Sequence, residues 1–165
     1  MKRIAFAIGS LFGGGAERVV SNWANALVAR GYDVSVVVYS RLENEYPVSE
    51  DVKIFPIAES QQACNEMSEL KRVRYIRKIF KNTNPDVVIS FLPIMQIYVR
   101  VATIGLNIPR IETIRISPWE ANILKTKFSK LWINCFETCN AVILQSNDQK
   151  AFFSKDVQKK ICCNS

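Results

Sequence analysis

The chain has no histidine, and its five cysteines (Cys64, Cys135, Cys139, Cys162 and Cys163) are odd in number and scattered. Cys135 and Cys139 stand one helical turn apart, but a zinc site needs two further ligands at suitable spacing and none is evident. The thiols read as reduced and half-buried, as in a cytosolic protein. Long hydrophobic runs are also lacking: no stretch approaches the roughly 18 uncharged apolar residues that a membrane-spanning helix requires. Lys2-Arg3 precede a short apolar stretch, yet it reaches glycine at Gly9 with no small-residue cleavage site, so it reads as a strand rather than a signal peptide. These absences predict a cytoplasmic protein without a bound metal. Internal repeats and low-complexity linkers are absent as well.

What remains is ordinary for a globular domain: 48% apolar and 22% charged residues in a chain of 165. That length suits one domain spanning residues 1–165, since further division would leave cores too small. Acidic residues are in deficit, 15 against 22 basic ones, giving a net charge of +7. An anionic partner follows, whether phosphorylated substrate, nucleic acid or anionic membrane surface. With no recognisable nucleic-acid-binding module and aromatics that follow core periodicity, nucleic acid is the least favoured of the three.

Short apolar runs rich in β-branched residues predict strands at Arg3–Ile8, Asp33–Tyr39, Val52–Pro56, Asp86–Phe91, Arg110–Thr113 and Ala141–Gln145. They are near-continuous rather than alternating, as in parallel strands covered on both faces. Helical periodicity predicts helices at Ala16–Arg30, roughly Asn65–Lys81, Ile94–Gly105 and Trp119–Cys139. The alternation implies a single Rossmann-like, doubly wound α/β parallel sheet. Gly31 stands where a helix C-terminal glycine belongs, and Asn84-Pro85 and Ile108-Pro109 stop helices before the fourth and fifth strands.

The loop after the first strand reads Gly13-Gly14-Gly15-Ala16-Glu17-Arg18-Val19-Val20. Its glycines allow a sharp turn and close approach to a ligand, and the helix that follows aims free N–H groups and its positive dipole end there. This is an anion-binding arrangement at the carboxyl end of a strand. A Walker A loop is excluded because Ala16-Glu17 stands where Lys-Ser/Thr is required. A dinucleotide fingerprint is excluded because Arg18 occupies the third glycine position. Glu17, in the first helical turn, either serves the helix dipole or faces the ligand. Arg18 either pairs with a phosphate or is solvated.

The run Gly13–Val20, continued by Asn22, Ala24, Leu27 and Gly31-Tyr32-Asp33-Val34, resembles the amino-terminal domain of family 4 glycosyltransferases. The likeness extends through Pro85–Pro93 and Ala141–Ser146. It implies a GT-B enzyme of two Rossmann-like domains facing across a cleft, this half holding the acceptor and the other the nucleotide-sugar donor. It further implies retention of anomeric configuration, no cofactor beyond the donor substrate, and a role in bacterial cell-surface glycan assembly. Gly13, Gly14, Gly15, Glu17 and Arg18 would lie beside substrate phosphates. Arg115, in Glu112-Thr113-Ile114-Arg115-Ile116-Ser117-Pro118, matches an arginine of the family and would touch substrate, although Ile114 and Ile116 replace its usual polar neighbours. The catalytic residue stays unassigned, because the histidine that some relatives place in this half is missing.

The sequence ends at Lys160–Ser165, where relatives continue into a donor domain. The resemblance therefore implies an acceptor-side half, inactive alone, with a partner chain or further domain supplying the donor side. Exposed cleft-facing surface would favour self-association. The other reading left open is a non-catalytic domain that holds a phosphorylated ligand or protein partner. Two basic amphipathic stretches, Glu69–Lys81 and Lys125–Trp132, either cover the sheet with a solvated face or rest on an anionic membrane, useful for a sugar or lipid-linked acceptor.

Overall fold

A computed structural model of the protein describes residues 1–163. Seven parallel strands form one sheet in the order β3-β2-β1-β4-β5-β6-β7. They are β1 (Arg3–Ala7), β2 (Asp33–Val38), β3 (Lys53–Pro56), β4 (Val87–Ser90), β5 (Arg110–Thr113), β6 (Ala141–Leu144) and β7 (Ile161–Cys163). All six expected strands are present within a residue or two at each end. The seventh was not anticipated; it pairs with β6 at the far edge, Cys162 opposite Ile143. The rest of the tail, Asn164 and Ser165, lies outside the described residues.

Strand alternation sorts the side chains into layers. Phe6, Val34, Val36 and Ile89 point to one face, where α1 (Gly15–Val28) covers them with Val20 and Ala24. Ala5, Ala7, Val37 and Val88 point to the other, against α3 (Glu69–Thr83) and α4 (Pro93–Ala102) through Ile76, Phe80, Met95 and Val99. A third cluster joins Val142 and Leu144 of β6 to α5 (Ser129–Thr138) through Trp132 and Phe136, and to α6 (Lys155–Gln158) through Val157. Ends are set by local chemistry. α1 stops where Gly31 adopts φ +81°, and its N–H bonds to Val28 O at 2.8 Å. A side chain in that conformation is disfavoured by about 1 kcal/mol.

Two helix expectations need correction. The helix expected over Asn65–Lys81 is two: α2 (Gln61–Glu66) and α3, with Met67 extended between them. Ser60 and Ser68 each cap one, accepting from the N–H of Ala63 and of Lys71. The capping serine at 68 starts a new helix where apolar periodicity alone runs straight through. The helix expected over Trp119–Cys139 begins only at Ser129, after a 3₁₀ turn at Asn122–Lys125. Thr126 separates them: its hydroxyl donates to Ile123 O at 2.8 Å and accepts from Phe128 N at 3.2 Å, competing with helical bonding.

Buried polar groups tie α4 and α5 to the sheet. Gln96 donates to Thr113 O at 2.8 Å and accepts from the Trp132 indole at 2.7 Å, so one amide satisfies both neighbours. Glu112 is wholly buried, bonded to Arg110 at 2.8 Å and accepting from the Ser90 hydroxyl. Burial raises its carboxyl pKa from 4.5 to about 7, against the opposing pull of Ser90 and Arg110. The folded state therefore holds this proton more tightly than the unfolded chain. Its contribution is complete below 4.5 and is lost as pH rises through about 7. Urea unfolding at about pH 5 and about pH 8 should show a loss on the order of 3 kcal/mol across that window. Glu112→Gln should remove that slope, whatever its absolute stability; an unchanged slope would refute the assignment.

Candidate functional site

The carboxyl edge of the sheet is the candidate functional edge. β1 pairs with β2 on one side and β4 on the other, while α1 and α4 leave on opposite faces, so a crevice opens between the loops after β1 and β4. The β4–α4 turn is strained. Leu92 sits at φ 68°, ψ 143° as the N-cap of α4, ahead of Pro93 in the first turn. For a residue with a Cβ this conformation costs about 1–3 kcal/mol and is found mainly where function holds the backbone.

On the α3/α4 side the crevice deepens into a cavity of about 340 Å³. Gly9, Tyr39, Gln61, Asn65, Leu92 and Tyr98 are among its lining residues. Tyr39 and Tyr98 meet edge to face, 6.2 Å between ring centres. The Tyr98 hydroxyl donates to the Glu69 carboxylate and accepts from Arg72 at 2.9 Å. Arg72 also donates to Cys64 O at 2.8 Å and to Asn65 O at 3.2 Å, so its guanidinium fastens α2 to α3 instead of facing solvent. Burial, reinforced by the Glu69 bond, pushes the Tyr98 phenol up to about 12; burial also raises Tyr39. Both are neutral at physiological pH. Phenols and amides that donate and accept without charge suit a hydroxyl-rich ligand.

On the α1 side lie the residues marked by the sequence. Gly13 has φ +85°, Gly14 is the N-cap of α1 in extended conformation without a side-chain cap, and the turn is largely exposed. Glu17 folds its carboxylate back against Gly14, so the helix terminus is faced by its own anion. Arg18 projects into solvent. Arg115 lies elsewhere: its guanidinium stacks over Trp23 at 5.0 Å and Phe91 at 5.7 Å, two turns along α1 from the glycine turn. Its Nε and Nη2 are buried without a partner, and desolvation lowers its pKa. The glycine turn, Glu17 and Arg18 thus cluster at one helix end, with Arg115 apart from them.

Three cysteines are more buried than the half-buried state expected. Cys64, Cys135 and Cys139 are free and buried within the core, and Cys162 is free and exposed. Burial pushes the Cys139 thiol up to about 11. The residues that sequence reasoning did not mark are Tyr39, Tyr98, Gln61, Asn65 and the strained Leu92; only the Pro93 that follows Leu92 gave a local signal.

A parallel sheet with a crevice at its reversal point, a glycine turn after its first strand and a polar cavity beside that crevice define a Rossmann-like α/β domain. Residues 13–162 match Glycosyltransferase Family 4, and the chain belongs to that family. It is 28% identical over 162 residues to an alpha-1,4-N-acetyl-D-galactosaminyltransferase of Campylobacter jejuni. That enzyme is named for the acceptor GalNAc-alpha-(1->4)-GalNAc-alpha-(1->3)-diNAcBac-PP-undecaprenol, and the match covers 96% of this chain and 44% of the relative. The chain thus spans less than half the length of this relative. Among solved structures, sucrose-phosphate synthase from Thermosynechococcus elongatus superposes with TM-score 0.75 at 12% identity, over 99% of this chain and 47% of that one. Anabaena HepE in complex with UDP-glucose superposes with TM-score 0.66 at 13% identity, over 99% and 43%. These likenesses establish the shared fold.

Arg115 is half-buried, and its two buried unpartnered nitrogens cost stability. Arg115→Met trades the cation–π attraction for a sulfur–aromatic contact on Trp23 and Phe91 and removes the unpartnered donors, which should raise stability by about 1 kcal/mol in thermal or urea unfolding. Destabilisation of similar size would make Arg115 a structural residue.

Proposed function

We propose that this chain is the acceptor-side domain of a retaining, hexosyl-type glycosyltransferase acting on a glycolipid or polysaccharide acceptor in cell-surface glycan biosynthesis. The observation that carries the reading is the cavity beside Leu92, whose polar lining is phenol and amide together with Arg72, a guanidinium already engaged by Tyr98, Glu69 and the Cys64 carbonyl. Such a surface matches sugar hydroxyls and offers no free cation to a donor diphosphate within it. The anionic part of a lipid-linked acceptor is assigned to Gly13, Gly14 and Gly15 at the start of α1, and Arg115, which stands apart from that turn, to a separate substrate contact. Glu17 must then move aside or be displaced, and Arg18 steers from solvent. The Campylobacter jejuni relative supports the choice of acceptor, since its named acceptor joins sugars to undecaprenol through a diphosphate. The nucleotide-sugar belongs to a second domain or a partner chain, and the reaction to the cytoplasmic face of the membrane. Without that second wall the reacting groups are not held together, and positioning is most of what such an enzyme contributes.

The test is equilibrium binding to the purified chain of a short-chain polyprenyl diphosphate glycan and, separately, of UDP-sugars. The glycan should bind and the UDP-sugar should not. Tyr98→Phe should weaken glycan binding by about 5- to 10-fold for one lost polar contact, and Gly14→Val should weaken it by placing a branched side chain in the turn. No sugar transfer is expected from this chain alone. Preference for the nucleotide-sugar, or transfer by the isolated chain, would refute the assignment.

A further inference from the structure

The three tryptophans of the chain are placed differently. Trp132 is fully buried and Trp23 lies beneath Arg115, whereas Trp119 is 52% exposed. It stands in the loop after β5, at the carboxyl edge of the sheet where ligands of open α/β folds collect. Ser117-Pro118-Trp119-Glu120 forms a turn, closed by Glu120 N donating to Ser117 O at 3.2 Å, with proline at the position that favours it. Trp119 is therefore carried at a turn tip.

The indole is fixed there. Its plane stands at 87° to the Phe152 ring, with centres 5.8 Å apart, and Phe152 packs in turn on Trp132 and Phe153. The buried Gln149 accepts from Gln145 N at 3.0 Å and donates to Ile116 O at 3.2 Å, which joins the loops after β5 and β6. A half-exposed ring already held in place loses little freedom when a ligand covers it. The same two loops carry exposed Glu120, Asn122, Gln145 and Asn147, and Arg115 keeps Nε and Nη2 without a partner. An aromatic face among amides, a carboxylate and a guanidinium is complementary to a pyranose. Weakly positive C–H bonds of the sugar meet the negative ring face, and its hydroxyls reach polar groups at the margin. For a protein partner the apolar surface is slight, since beside Trp119 only Ile116 is exposed among the apolar residues from 114 to 123.

This platform is separate from the cavity beside Leu92. The cavity lies at the ends of β1 and β2, and β5 is two strands from β1, about 10 Å along the sheet. That span exceeds one hexose ring. We propose that Trp119 is the stacking platform for a second sugar, so that the domain takes an oligosaccharide acceptor with one sugar in the cavity and a further ring on the indole. This deepens, and rests on, the reading that the cavity holds an acceptor sugar.

Calorimetric titration of the purified chain with one-sugar and three-sugar forms of a short-chain polyprenyl diphosphate glycan tests this. The three-sugar form should bind more tightly. Trp119→Ala should weaken its binding on the order of 10-fold and leave the one-sugar form unchanged. Trp119→Phe should restore most of the loss. Indole emission should shift to shorter wavelength with the three-sugar form, and Trp119→Phe should abolish the shift although the glycan still binds. The position is exposed, and circular dichroism verifies folding. Equal affinity for the two forms, an equal loss for both on Trp119→Ala, or unchanged emission would overturn the platform and leave the acceptor assignment standing. An emission shift produced by a UDP-sugar would overturn it by giving the indole to the donor. So would a dimer that Trp119→Ala dissociates, which would give it to a second copy. Binding of neither form would overturn the acceptor reading and the platform with it.

Discussion

The double pairing of β1 governs the rest of this fold. Its five residues are hydrogen-bonded to β2 on one side and β4 on the other, and they alternate between large and small. Phe6 meets Trp23 and Phe91 on the α1 face. Ala5 and Ala7 leave room for α3 and α4 on the opposite face. Because the chain departs from β1 and β4 onto opposite faces, their carboxyl ends are separated by a crevice instead of a covering helix. The glycine turn, the strained Leu92 and the two tyrosines all border that gap. A bulky residue at Ala5 or Ala7 would push α4 away and alter the crevice from below.

The arginines divide by what they touch. Arg72 donates to the backbone of α2, Arg77 caps the end of α4 through Ala102 O and Ile104 O, and Arg110 neutralises Glu112. Each uses the planar fork to satisfy several acceptors at once, which an ammonium does less well. Arg115 differs: the aromatic faces beneath it supply attraction without hydrogen bonds, and its buried Nε and Nη2 are the unpartnered polar side-chain atoms among the described residues. A cation held by ring faces is fixed in position while retaining unspent donors. That combination suits a ligand contact better than a structural tie.

The sheet was readable from the sequence because most of its strands are near-continuous apolar runs; β5, with one apolar residue in four, was marked instead by the Ile108-Pro109 stop before it. β7 was not, since Ile161-Cys162-Cys163 is short and gains strand geometry from the edge of β6. The helices were joined too freely where apolar spacing continues past Ser68 and Thr126. There the deciding force is a single hydroxyl bonding to the backbone, which periodicity does not register. At the site, the glycine turn was visible because its signal is local. Arg115 was visible as a residue, but its stacking was not, because Trp23 and Phe91 reach it from distant segments. Tyr39 and Tyr98 escaped notice for the same reason: only the placement of β2 beside β1 brings them together.

The division of basic residues bears on how the net charge of +7 acts. With several arginines turned inward, much of the field that a partner meets comes from exposed lysines. Seven of the exposed basic residues lie on α3 and around the start of α5: Lys71, Arg74, Lys78, Lys81, Lys125, Lys127 and Lys130. Across the crevice, the α1 terminus presents Arg18 and a positive dipole end, tempered by Glu17. The carboxyl edge therefore has a cationic shoulder on one side and an anion-receptive turn on the other, with neutral hydrogen-bonding groups between. Tyr98 is hydrogen-bonded to Glu69 and Arg72 of α3. Anything that moves α3 against α4 must shift that phenol within the cavity.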